Sequence, residues 1–117
     1  MPADRRIDYV EFPCGDFDIV QKFYGETFGW KFTDYGPEYL AFSDGNTEGG
    51  FFISELHSST ATGGALVIVY AEDLEATRDR VVENGGTICK EIISFPGGRR
   101  FQFRDPHGNE LGVWSDR

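Results

Sequence analysis

Three glutamates, Glu11, Glu55 and Glu110, and a polar pair, Arg100 and Gln102, set beside Phe101 and Phe103, are the side chains of this sequence best suited to chemistry. A carboxylate held among apolar groups has its pKa raised, because burial penalises the charge, and can then take a proton from a substrate as general base. Glu11, in an apolar strand-like run with Ile7 and Tyr9, is the candidate for that catalytic role. The three glutamates brought to one place would also suit a hard cation such as magnesium or calcium. Alternatively, Glu11 and Arg100 are simply an ion pair across a sheet. His57 and His107 lie in linker or turn sequence, and the polar turn position of His107 is a structural one. Gly49-Gly50 and Gly97-Gly98 lack the strand-to-helix setting and the Lys-Ser/Thr sequel of a phosphate loop, so they are turn or strand-edge glycines. Cys14 and Cys89 stand far apart with no Cys-x-x-Cys spacing, which suits reduced, structural thiols.

These residues must be positioned by one domain, since 117 residues support a single sizeable core but not two. With 39% hydrophobic residues the chain can offset the entropy of ordering. A net charge of -9 opposes nucleic-acid binding, which needs clustered Lys and Arg to displace phosphate counterions. It opposes a membrane-surface role as well, and no apolar stretch approaches the roughly 20 residues of a spanning helix. The first residues run directly into strand-like sequence without a leader pattern, so the expected location is the cytoplasm.

Periodicity supplies the elements. Residues 6–12 alternate as a strand ended by Pro13-Cys14-Gly15, and Asp16 caps a helix whose apolar positions recur from Phe17 to Phe28 until Gly29 stops it. Strand candidates at 30–35, 38–43 and 50–55 follow, separated by Gly36-Pro37 and Asp44-Gly45-Asn46. After a polar linker at 57–63 the order returns: a strand at 65–71, and a helix capped by Asp73 with Leu74, Thr77, Val81 and Val82 inward and Gly85-Gly86 behind it. Strands at 87–93, 99–104 and 110–114 complete it. Val10 and Val67, Asp16 and Asp73, and Gly29 and Gly86 are separated by one common interval, so the chain is βαβββ twice: module one about 5–56 and module two about 64–116 of a single domain, 1–117.

The segments Tyr9-Val10-Glu11-Phe12-Pro13-Cys14-Gly15-Asp16, Lys22-Phe23-Tyr24, Phe28-Gly29-Trp30-Lys31-Phe32, Glu83-Asn84-Gly85-Gly86 and Phe103-Arg104-Asp105-Pro106-His107-Gly108-Asn109-Glu110-Leu111-Gly112 occur in this order over nearly the whole chain. Together they resemble the glyoxalase/bleomycin-resistance/dioxygenase, or vicinal oxygen chelate, superfamily. The resemblance implies an α+β fold of two βαβββ modules forming a cupped mixed sheet, with helices on the convex side and a ligand site in the concavity. It also implies metal-ligand positions on the first and last strands of each module. Here those positions fall on Tyr9, on or near Leu66, on Gly112, and on Ile53 or Glu55, a set without the three or four donors a transition-metal centre uses. No metal and no cofactor are therefore expected.

If Tyr9 faces the cup, alternation brings Ile7 and Glu11 with it; Gly112 brings Glu110 and Trp114, and Leu66 brings Ile68 and Tyr70. The expected ligand-binding residues are Tyr9, Phe52 (or Ile53), Leu66, Ile68, Arg100, Gln102, Glu110 and Trp114, an apolar lining with a few polar groups. The expected function is binding of a small, aromatic or amphipathic molecule. The alternative is a glyoxalase-type lyase or isomerase acting through Glu11, with a displaced divalent metal or none. Aromatic-rich strands and the habit of the family point to a homodimer.

Overall fold

Two aspartates start the two helices in the same way. Asp16 accepts hydrogen bonds from the backbone N–H of Asp18 at 2.8 Å and of Ile19 at 3.2 Å, and Asp73 accepts from Ala76 N–H at 3.0 Å. Gly29, at φ +75°, closes the first helix in the left-handed conformation that a side chain would strain. Around these points the computed structural model, which describes residues 2–117, places the expected elements. They are β1 (Tyr9–Cys14), α1 (Phe17–Phe28), β2 (Lys31–Asp34), β3 (Tyr39–Ser43), β4 (Glu48–Ile53), β5 (Val67–Tyr70), α2 (Leu74–Glu83), β6 (Thr87–Phe95), β7 (Gly98–Arg104) and β8 (Glu110–Ser115). The linker carries a short 3-10 turn at Thr60–Thr62 that its composition did not signal.

The strands form two four-stranded mixed sheets of identical topology, β1-β4-β3-β2 and β5-β8-β7-β6. In each, the first strand pairs parallel to the last and the remaining contacts are antiparallel. One apolar cluster joins them: Phe12 and Phe51 from the first sheet, Phe101, Phe103, Leu111 and Val113 from the second, with α1 between. Tyr24 on α1 lies 5.5 Å from Phe51 and its neighbour Phe23 lies 5.9 Å from Phe103, ring centre to ring centre. Tyr24, Trp30 and Phe42 stack in sequence at 4.6 and 4.5 Å, extending the cluster over the first sheet. A polar clasp holds the modules together beneath it: the Tyr24 hydroxyl donates to Asp105 at 2.7 Å, and Asn109 Nδ2 donates to the Pro13 carbonyl at 2.7 Å.

Four local expectations change. Pro13 and Cys14 are within β1, whose edge position leaves the missing N–H of proline without a ladder partner to lose. Gly49 and Gly50 lie inside β4, which is paired on both sides, and not at a turn or edge. Val82 is exposed rather than inward, since α2 buries only Leu74, Thr77 and Val81. Trp30 precedes β2 and is buried in the aromatic stack.

Candidate functional site

Each sheet turns one face to the core and leaves the other open. On the first sheet, Phe12 and Phe51 mark the core face, so the register pairs Tyr9 with Glu48, Glu11 with Gly50 and Tyr39 with Phe52 on the open one. Tyr9 and Phe52 are both partly exposed there. Ile53, one residue on, takes the opposite alternation, and Glu55 lies beyond the strand and is exposed, so of the two candidates Phe52 and Ile53 it is Phe52 that shares the open face with Tyr9.

Glu11 is exposed, which removes the premise of an apolar burial that would make it a strong base. Its setting is instead a hydrogen-bond chain. The Tyr39 hydroxyl donates to Glu11 Oε2 at 2.7 Å and lies 2.8 Å from the Tyr9 hydroxyl. A phenol has a single proton to give, and Tyr39 gives it to the carboxylate, so Tyr9 is the donor to Tyr39. Burial and these two hydrogen bonds push the Tyr39 phenol above its ordinary range, keeping it protonated. Gly50 makes the chain possible: a Cβ there would stand 2.0 Å from Tyr39 Oη, so the tyrosine reaches from β3 across β4 to β1 only over a residue without a side chain. Tyr39 was not singled out from the sequence, although its alternation with Ala41 and Ser43 places it on this face.

On the second sheet, Ile68 pairs with Gly112, Tyr70 with Trp114, Gln102 with Gly112 and Arg100 with Trp114, so all share the open face as alternation implied. Tyr70 packs edge-on to Trp114 at 5.1 Å and Phe95 lies 6.5 Å from the same indole. Leu66 covers Gly112, where an added Cβ would meet Leu66 Cδ2 at 3.6 Å and Ile68 Cγ1 at 3.4 Å. The polar groups form a row. Arg100 Nη2 donates to Gln102 Oε1 at 2.7 Å, Gln102 Nε2 donates to Glu110 Oε2 at 2.6 Å, and Glu110 Oε1 accepts from Thr60 N–H at 2.9 Å and Thr60 Oγ1 at 2.8 Å. Burial alone would push the Glu110 carboxyl up; the donors from Thr60 and Gln102 outweigh it and hold the group below its usual range. Glu110 and Gln102 are thus buried and engaged, while Arg100 stays half-buried with no ionic partner among the described residues. Thr60, in the linker, was missed because nothing in its own sequence marks it as a partner of β8.

Glu11 and Arg100 do not pair: they belong to different sheets, and no ion pair joins them among the described residues. Nor do Glu11, Glu55 and Glu110 assemble, since no group of three His, Cys, Asp or Glu side chains is placed to hold a metal ion among the described residues. The positions that the resemblance implies for metal ligands, Tyr9, on or near Leu66, and Gly112, carry a phenol already committed to Tyr39, an alkyl group and no side chain, which does not fit a transition-metal centre. His107 is a turn residue whose Nε2 lies 2.7 Å from the Leu56 carbonyl. Cys14 is buried and its thiol is pushed up to about 11 by desolvation, which keeps it unreactive. Two open grooves lie away from these faces, one of about 610 Å3 lined by Arg78, Val82, Ile88 and Glu91, and one of about 260 Å3 between the start of α1 and His107.

Two βαβββ modules on a shared core, each with an open sheet face bearing aromatic and a few polar side chains, define the class of fold. The chain belongs to the Glyoxalase/Bleomycin resistance protein/Dioxygenase superfamily, which it matches over residues 6–113. A glyoxylase-like domain-containing protein of Didymella fabae is 34% identical over 97% of this chain and 95% of its own length. The anthracycline biosynthesis protein DauV of Streptomyces sp. (strain C5) is 29% identical over 92% of this chain, which spans only 40% of that protein. Among solved structures, a glyoxalase-related enzyme from Fulvimarina pelagi superposes with a TM-score of 0.79 at 17% identity, covering 95% of this chain and 88% of that one, a likeness of fold. No helix among the described residues is long and apolar enough to cross a membrane.

Proposed function

We propose that this chain binds a small aromatic or amphipathic molecule on its open sheet faces, without a metal and as a homodimer. The observation that carries the reading is the composition of those faces. Tyr9 and Phe52 on one and Ile68, Tyr70 and Phe95 on the other stay exposed although the core is full, and each set shares its face with a polar group, Glu11 or Arg100, that has no ionic partner among the described residues. The similarity to a protein named for anthracycline biosynthesis supports an aromatic ligand. The two free thiols suit the reducing cytoplasm.

A second reading is favoured by one observation, the exposed Glu11 carboxylate anchored by Tyr39: a glyoxalase-type lyase or isomerase using Glu11 as base. Elemental analysis of dialysed protein and an assay with a thiohemiacetal substrate separate the two. Metal-free protein that binds aromatic compounds without turnover is expected. One equivalent of metal together with turnover lost in Glu11→Gln would replace the binding reading by the enzyme.

A further inference from the structure

The direction of the hydrogen bonds on the first open face says what kind of group that face accepts. The Tyr9 proton is spent on Tyr39 and the Tyr39 proton on Glu11, so the remaining valences of the chain are all acceptors: the lone pairs of Tyr9 Oη and the second oxygen of Glu11. No other side chain donates to Glu11 among the described residues, and no Lys or Arg pairs with it. The rings of Tyr9 and Phe52 are exposed on the same face, and the -9 charge of the whole chain adds an attractive field for cations. Gly50, the register partner of Glu11, leaves the space in which the Tyr39 hydroxyl reaches that carboxylate.

We infer that the Tyr9–Tyr39–Glu11 face of the first sheet is a recognition site for an aromatic ligand carrying a protonated amine, with the ammonium on the free Glu11 oxygen and Tyr9, and the ring against Phe52. The inference deepens the binding reading, on which it rests, by naming the class of ligand. A neutral alcohol offers one weaker donor to the same acceptors, and a carboxylate offers none and is repelled by Glu11. Tyr39 is a positioning residue: its donated proton fixes the Glu11 rotamer and turns the other oxygen outward.

Three probes with one ring system test this: tryptamine, its neutral analogue tryptophol, and indole-3-acetate, each titrated into 15N-labelled protein while amide shifts are followed. Tryptamine is expected to bind at least ~10-fold more tightly than tryptophol, with indole-3-acetate weakest, and to shift residues of β1, β3 and β4. Glu11→Gln should bring tryptamine and tryptophol within about twofold of each other while the rest of the spectrum stays in place, and Tyr39→Phe should weaken tryptamine while leaving it preferred. Equal binding of tryptamine and tryptophol on this face would overturn the cation class yet leave ligand binding standing. Preference for indole-3-acetate with shifts around Arg100, or an unchanged tryptamine preference in Glu11→Gln, would also overturn it. Absence of shifts on either open face with all three probes would sink the binding reading along with it.

Discussion

Glu110 is the polar residue whose surroundings most constrain what it can do. With four per cent of its surface exposed and donors from Thr60 and Gln102 on its oxygens, it is a tie between linker and sheet. Replacing it with glutamine points an amide N–H toward groups that themselves donate, so Glu110→Gln is expected to lose about 1–3 kcal/mol in urea unfolding. The pH dependence has a definite sign. A carboxyl held below its ordinary value in the fold stabilises above its unfolded pKa of about 4.3, and that contribution is lost as pH falls through the lower, folded value. Wild type should therefore destabilise more steeply than Glu110→Gln on acidification below about pH 4.5, and parallel curves would refute the assignment. In the sequence, alternation placed Glu110 on the correct face because side-chain direction has period two. It could not show that the residue is buried and satisfied, since its partners come from an irregular linker whose path no periodicity encodes. Tyr39 illustrates the same limit: its contact with Glu11 spans β3, β4 and β1, and follows from the strand order rather than from any spacing along the chain.

At the scale of elements, the helices and most strands were legible because caps and turns punctuate them chemically, Asp16 and Asp73 at the starts and Gly29 at a left-handed end. The middle of β4 was not, because a Gly-Gly pair resembles a turn wherever the reason for the glycines lies on neighbouring strands. The two glycines differ in a way that can be measured. A Cβ on Gly49 would stand 2.2 Å from the Val10 carbonyl and 2.4 Å from the buried Phe42 ring, neither of which can move without separating β1 from β4 or opening the aromatic stack. On Gly50 it would meet only the end of the Tyr39 side chain, which can swing outward. Gly49→Ala is thus expected to cost at least about 1–3 kcal/mol, and Gly50→Ala less. Tyrosine absorbance and the amide shifts of β1 should report a displaced Tyr39 only in Gly50→Ala. Equal destabilisation by the two would show that the Tyr39 contact is as rigid as the backbone one.

For the whole molecule the question is how two open faces coexist in one chain. Each sheet has its core face covered by the shared cluster and its other face uncovered, with Tyr9, Phe52, Ile68, Tyr70 and Phe95 exposed there. Exposed apolar groups concentrated on sheet faces are better covered than solvated, and a second copy of the chain set across them, with the ligand space left between the two sheets, supplies a face of complementary charge. Among the described residues Arg100 has no ionic partner on the second sheet and Glu11 none on the first. A two-fold arrangement of first sheet opposite second sheet lets the opposite charges attract across that space in both halves at once, without direct contact, and closes without further growth. The expected species in sedimentation at micromolar concentration is therefore twice the 13.2 kDa chain mass. Because the complementary charges face each other across partly solvated space, raising salt from 0.05 to 0.5 M, roughly a threefold shortening of the screening length, should weaken association. Arg100→Glu, which sets two acidic groups against each other, should shift the protein toward monomer, and Glu11→Arg in the same chain should restore the dimer. Chelator should leave both the dimer and the melting temperature unchanged, since the described residues gather no donor set on which either could depend. A pure 13.2 kDa species in wild type at every concentration tested would refute the assembly, and a dimer indifferent to Arg100→Glu would refute this pairing of faces.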